Sequence, residues 1–249
     1  MIDGEIAAGA EIALEEGQAR HVGTVLRLDA GDVVRLFNER DGEWRSRISA
    51  KTKRGISVVV QEKLRDPRAA PDLLLLFAPV KRHATDLIVE KATELGVRQI
   101  RPVITQRTIA ETVRVDRLAS IAREAAEQTE RFDAPEICEP LSLAKALDGW
   151  DAARPLIYAD EAGDDDAQPW GGARGRGQPL QQVLAGLAAD KLALLIGPEG
   201  GFTAEERRLL RGLPYVKPVA LGPRILRAET AAIAALSVIQ SAWGDWREG

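Results

Sequence analysis

The chain reads as an α/β protein, in which a small strand-rich N-terminal unit precedes a larger domain built on a mostly parallel, helix-covered sheet. Three observations predict this. Beyond residue 71, apolar runs of strand length alternate with segments of helical periodicity. Before residue 66, short runs rich in β-branched residues are separated by Gly and Asp turns, the pattern of a small β-barrel of four or five strands. Between the two, Asp66-Pro67-Arg68-Ala69-Ala70-Pro71 carries two prolines and no periodicity, which divides the chain into domains at 1–68 and 72–249.

In the first part, residues 18–27 place Val22, Val25 and Leu26 at helical spacing and predict a short amphipathic helix. Gly31-Asp32 then turns into strands at 33–37, 43–49 and 56–61. In the second part, 73–79 is a continuous apolar run, suited to a strand buried on both faces. A helix over 83–95 ends at Gly96, a favourable C-terminal cap. A strand at 99–104, a helix at 116–129 and a strand near 156–159 continue the alternation. After them come a strand at 191–196, a helix at 203–211, a strand at 215–220 and a helix over 227–242. Thr203 with Glu206 three residues on is a capping box and specifies that helix start. Residues 160–179, acidic first and then Gly/Arg-rich, interrupt the pattern and predict a mobile surface loop.

Composition narrows the function classes. No apolar run approaches the roughly 20 residues a membrane helix needs. The first residues are acidic where a secretory signal is basic and then apolar, so a cytoplasmic protein is expected. A single cysteine, Cys138, excludes an intramolecular disulfide, and with only His21 and His83 beside it no zinc site is expected. The net charge of −4 argues against a generic nucleic-acid binder. Its distribution is uneven, however. Residues 1–34 hold two Lys/Arg against seven Asp/Glu, and residues 35–68 hold ten against five. The basic segment suits either an RNA contact or a solvated sheet face.

Two loops have the character of a ligand site, because open α/β sheets bind at the carboxyl ends of their strands. One is Ile196-Gly197-Pro198-Glu199-Gly200-Gly201-Phe202, between a buried strand and a capped helix. The other is Leu221-Gly222-Pro223-Arg224-Ile225-Leu226-Arg227, also between strand and helix. Neither has the Lys-Ser/Thr of a Walker loop or the G-x-G-x-x-G spacing, so a ligand held mainly by its phosphates is not expected. Because they leave successive strands, one crevice could hold both. Glu199, Arg224, Arg227 and Glu229 lie close in sequence to these loops, and charges beside apolar strands call for a pairing partner or a ligand.

The segments LLIGPEGGFTAEE (194–206) and LGPRILRAETAAIAAL (221–236) resemble the signature segments of the RsmE family, the 16S ribosomal RNA uridine-N3 methyltransferases of the SPOUT superfamily. VEKATELGVRQIRPVITQRT (89–108), REAAEQTER (123–131) and HVGTVLRLDAGD (21–32) are similar to further stretches of that family, in the expected order. The resemblance implies a PUA-like RNA-binding barrel followed by a SPOUT domain with a trefoil knot that grips S-adenosylmethionine. It also implies a homodimer acting on the small ribosomal subunit near the decoding centre. Carried over residue by residue, Ile196, Gly197, Glu199, Gly200, Leu221, Gly222, Ile225 and Leu226 would line the cofactor site, with backbone contacts from Tyr158–Ala159. Arg227 and Arg224 are the candidates for stabilising charge on the uracil, Glu199 and Glu229 for orienting them or accepting the proton. Gln128 and Arg131 are candidate contacts to the target nucleotide. Two other readings stay open: a SPOUT methyltransferase for another RNA base, and an RNA-binding assembly factor without activity. The start, MIDGEIAAG, departs from the basic, Arg-containing segment usual in the family.

Overall fold

The computed structural model describes residues 1–109, 112–160 and 177–248, which form two compact units. One comprises Met1–Ala69 with Glu130–Asp133, the other Ala70–Thr129 with Ala134–Gly249. Of the segment 160–179, expected as a mobile loop, residues 161–176 lie outside the described residues.

The first unit runs β1 (Glu11–Ala13), α1 (Glu16–Arg20), β2 (Val33–Asn38), β3 (Gly42–Thr52) and β4 (Gly55–Arg65). Its four strands form an antiparallel sheet in the order β1-β4-β3-β2. The register between β3 and β4 shifts at three places, and such bulges bend and twist a strand, wrapping the sheet around Ile6, Leu36, Ile48, Ile56 and Val58. β3 and β4 extend beyond the apolar runs that reveal them in sequence. Along β3, buried Ser46 and Ile48 alternate with exposed Arg45, Arg47 and Ser49, so the ladder continues under a polar outer face.

The helix expected over 18–27 is different in the structure. α1 ends at Arg20, and His21–Val25 forms a π-helical turn. The wider turn takes side chains off the 3.6-residue period, and Val25 and Leu26 are exposed. The basic segment is also less cationic than its sequence. Arg35, Arg40, Arg45, Lys51, Lys63 and Arg65 are ion-paired to nearby carboxylates. Buried Glu43 is ion-paired with both Arg35 and Arg65.

The second unit runs β5 (Asp72–Phe77), α2 (Arg82–Glu94), β6 (Gln99–Ile104), α3 (Val115–Gln128), β7 (Glu136–Ile137), β8 (Leu141–Ser142), α4 (Leu143–Leu147) and β9 (Leu156–Ala159). Then follow β10 (Gln178–Pro179), α5 (Leu180–Ala185), β11 (Lys191–Ile196), α6 (Ala204–Arg211), β12 (Val216–Ala220) and α7 (Ala228–Ala242). The sheet is parallel throughout, in the order β10-β12-β9-β11-β5-β6-β7, with β8 also beside β6. Leu73, Leu75 and Phe77 of β5 enter one core while Leu74 and Leu76 enter another, which is why this strand is apolar at every position. The small residues of α7, among them Ala228, Ala231, Ala232 and Ala235, let it lie close against α2 and α5.

The end of α2 is fixed across the unit. Gly96 follows its last turn at φ +74°, and a methyl group there would lie 2.5 Å from the Gln240 amide nitrogen. That nitrogen donates to the Leu95 carbonyl at 2.5 Å, while the Gln240 oxygen accepts from Asp245 N–H at 3.2 Å. Gly96→Ala is expected to lower stability by about 2 kcal/mol, from the left-handed backbone cost alone, as measured by urea unfolding. Cys138 is 7% exposed, and burial raises its thiol pKa, with Arg101 opposing and Glu136 adding. Its alkylation by iodoacetamide at neutral pH is expected to be at least about tenfold slower in the folded protein than after unfolding, followed by mass spectrometry.

Candidate active site

β11 and β12 both pair with β9, one on each side, so the two Gly-containing loops leave strands separated by β9. β11 and β12 are successive in the chain, but in the sheet they are two strand spacings apart, about 10 Å. Leu195, Tyr158 and Pro218 lie in one row across these three strands. Between the two loops, at the carboxyl end of β9, stands Asp160.

The first loop is packed from below and tied at both ends. Phe202 is buried and meets the Tyr158 ring edge-on at 5.1 Å. A Cβ on Gly197 would come within 2.6 Å of the Phe202 ring, so only glycine fits there. The Ile196 carbonyl accepts from Ala78 N–H at 2.9 Å, and Gly201 N–H closes a turn on the Pro198 carbonyl at 2.8 Å. The capping box read in sequence is present, with Thr203 N–H donating to Glu206 Oε2 at 2.9 Å and Glu206 N–H to Thr203 Oγ1 at 3.2 Å. The other Glu206 oxygen accepts from Gln106 N–H at 2.8 Å, a hundred residues away. Next to it, Arg107 donates to the Gly200 carbonyl at 2.7 Å. The turn after β6 is thereby bound to the loop after β11.

Asp160 holds the other side of this frame. Its carboxylate is nearly fully buried and accepts from Arg207 Nε at 3.1 Å and from Arg211 Nε and Nη2 at 3.0 and 2.7 Å. Both arginines belong to α6, so Asp160 anchors that helix against the strand end. Burial first, and then the Asp160 charge, push the Tyr158 hydroxyl far above its ordinary range, so Tyr158 stays protonated and is no base. Asp160, Arg207, Arg211 and Arg107 are not legible as site residues in the sequence. The one signal for Asp160 was a carboxylate directly after an apolar strand.

The second loop has no such ties. Among the described residues, the main chain of 221–226 makes no hydrogen bond. Leu221 and Leu226 are half-buried and Ile225 is 64% exposed. Open backbone donors and acceptors flanked by aliphatic side chains fit an adenosyl group, whose ring edge needs amide partners and whose faces need apolar ones. The charged candidates are not paired with one another. Arg224, Arg227 and Glu199 are exposed, and Glu229 is half-buried in the first turn of α7. No ion pair joins them among the described residues. Arg227 is the residue before α7, in extended conformation. Gln128 is exposed at the end of α3, whereas Arg131 belongs to the first unit and is largely buried, its guanidinium held by both Asp133 oxygens at 2.8 Å.

Comparison with known proteins matches this architecture. A family model described as an RNA methyltransferase domain covers residues 68–240, and one described as an RNA methyltransferase PUA domain covers 14–61. A ribosomal RNA small subunit methyltransferase E of Rickettsia conorii is 32% identical over 240 residues, 96% of this chain and 93% of its own length. The Bacillus subtilis protein of the same name is 26% identical, over 89% of this chain and 86% of its own. A methyltransferase of Legionella pneumophila, solved with bound S-adenosylmethionine, superposes with a TM-score of 0.82 at 32% identity, covering 97% of this chain and 96% of that one. A Neisseria gonorrhoeae ribosomal RNA small subunit methyltransferase E, bound to the same cofactor, gives 0.80 at 25% identity, covering 98% and 97%. The family models and the cofactor-bound relatives define an S-adenosylmethionine-dependent RNA methyltransferase with an N-terminal PUA-like domain. More narrowly, the chain belongs to the ribosomal RNA small subunit methyltransferase E family.

Glu206→Ala removes the acceptor of two backbone N–H groups at once. It is expected to cost about 2–3 kcal/mol in denaturant unfolding and to weaken S-adenosylmethionine binding in calorimetry.

Proposed function

We propose that this protein methylates N3 of one specific uridine in 16S ribosomal RNA, on the small ribosomal subunit near the decoding centre. The observation that carries the reading is the paired loops at the ends of β11 and β12, one rigidly tied and one with open main chain, in a chain that aligns with a named relative over 96% of its length. When bound, S-adenosylmethionine supplies a methyl group on an electrophilic sulfonium. Gly197, Glu199 and Gly200 with Ile196 form one wall of its site, and Leu221, Gly222, Ile225 and Leu226 the other.

Uracil N3 carries a proton at neutral pH. Loss of that proton puts negative charge on N3, O2 and O4, and this charge is consumed as the N3–carbon bond forms and the sulfur–carbon bond breaks. Arg227 and Arg224, cations without an ion pair among the described residues, stabilise that charge. Glu199 or Glu229 receives the proton, directly or through water. Gln128 contacts the flanking nucleotide, and the N-terminal unit holds the RNA outside the site. The protein works in the cytoplasm as a homodimer, the apolar, alanine-rich α7 contributing to the subunit interface. None of the helices in the described residues is long and apolar enough to cross a membrane.

The test is nucleoside mass spectrometry of small subunits from a strain lacking the protein, before and after incubation with enzyme and S-adenosylmethionine. N3-methyluridine absent before and present after supports the reading. A methyl group on a different base redirects it to another RNA position, and cofactor binding with no methylation of any base removes it. Arg227→Ala is expected to lower kcat by about 100-fold with cofactor affinity unchanged. Unchanged kcat would remove Arg227 from the mechanism.

A further inference from the structure

A cavity of about 450 Å³ lies beside the GPEGG loop, between the start of α2 and the segment leading into α3. Glu199 closes one side of it, so the cavity adjoins the methyl-transfer site without being lined by the 221–227 loop. Its volume lies within the range of small-molecule sites and admits a single nucleotide but no duplex.

The lining has two characters. Val80 and Leu118 are buried, Val113 is half-buried and Ile109 is 78% exposed, giving one apolar side that ends in a projecting isoleucine. The other side is cationic. Arg117 is held by Asp86 through both nitrogens, and Arg114 pairs with Asp116 at 2.7 Å. Lys81 and Arg82 are exposed and make no ion pair among the described residues. They are the residue before α2 and its first residue, and the first turn of α2 carries no acid to offset them. The helix dipole makes this a poor place for two cations, so folding alone does not account for them.

We propose, resting on the RNA-methyltransferase reading above, that this cavity receives the target nucleotide turned out of the RNA. The base packs against Ile109 and Val113, and Lys81 and Arg82 meet the adjoining phosphates. Enzymes that modify a base must bring it out of its stack, and they hold it between apolar side chains while cations fix the backbone. Cavity, exposed isoleucine and unpaired cations supply these parts together, and Glu199, which adjoins Gly200 in the cofactor loop, is part of the same lining.

Two variants of the full-length enzyme test this. Lys81→Ala/Arg82→Ala removes the phosphate contacts, and Val113→Trp fills the cavity while leaving the charge unchanged. With small subunits from a strain lacking the protein, the double variant should raise KM at least about tenfold, with the calorimetric Kd for S-adenosylmethionine within about twofold of the parent. Its binding to a short oligouridylate, followed by fluorescence anisotropy, should show a log–log salt slope smaller by roughly 1.4, two single-strand phosphate contacts. Val113→Trp should keep the salt slope and the cofactor Kd but lose at least about tenfold in kcat/KM. Unchanged KM and salt slope in the double variant would overturn the proposal. So would a cofactor Kd that rises as much as KM, which assigns the cavity to the methyl donor instead. The two readings fail separately: a parent enzyme that methylates no subunit sinks the reaction assignment, while the oligouridylate slopes still decide the cavity.

Discussion

Glu206 is a carboxylate with 6% of its surface exposed, and the active end of the sheet depends on what it holds. Burying a charge is costly unless its hydrogen-bonding capacity is met. Here one oxygen takes the Thr203 amide and the other the Gln106 amide. The first bond starts α6. The second fastens the turn after β6 to that same helix, and Arg107 reaches from this turn to the Gly200 carbonyl. Three segments far apart in the chain are thus fixed around one carboxylate, and the GPEGG loop takes its shape from them. Asp160 does the complementary work at the far end of α6.

The result is an asymmetric pair of loops. The loop after β11 is braced by Phe202, Glu206 and Arg107, and the loop after β12 keeps its backbone groups open among the described residues. A braced wall opposite an open one suits a site that must hold one molecule in a fixed pose yet release its product. The strand between them, β9, sets the gap, since its neighbours cannot approach more closely than the ladder spacing allows.

Much of this was legible in the residues. The fully apolar β5, the Thr203–Glu206 box, Gly96 as a helix stop and both loops announce themselves, because each depends on neighbours a few positions away. What escaped depends on long-range placement. Nothing local tells that Glu206 also serves Gln106, or that β9 separates β11 from β12. The π-helical turn at His21–Val25 escaped for a different reason: its sequence carries the period of an ordinary helix. Charge was the least readable property. The ten cations of residues 35–68 suggested a basic surface, but most are paired, whereas Lys81 and Arg82 drew no notice in sequence.

The lone buried thiol has a practical side. Because Cys138 lies in the interior with its proton held on, the protein presents a blank background to thiol-directed reagents. A cysteine introduced on either loop, or at exposed Ile109, would be the single reactive position on the described surface. The chain therefore lends itself to site-directed fluorophores and spin labels without a cysteine-free parent, and the motions of the two loops can be timed in otherwise native protein.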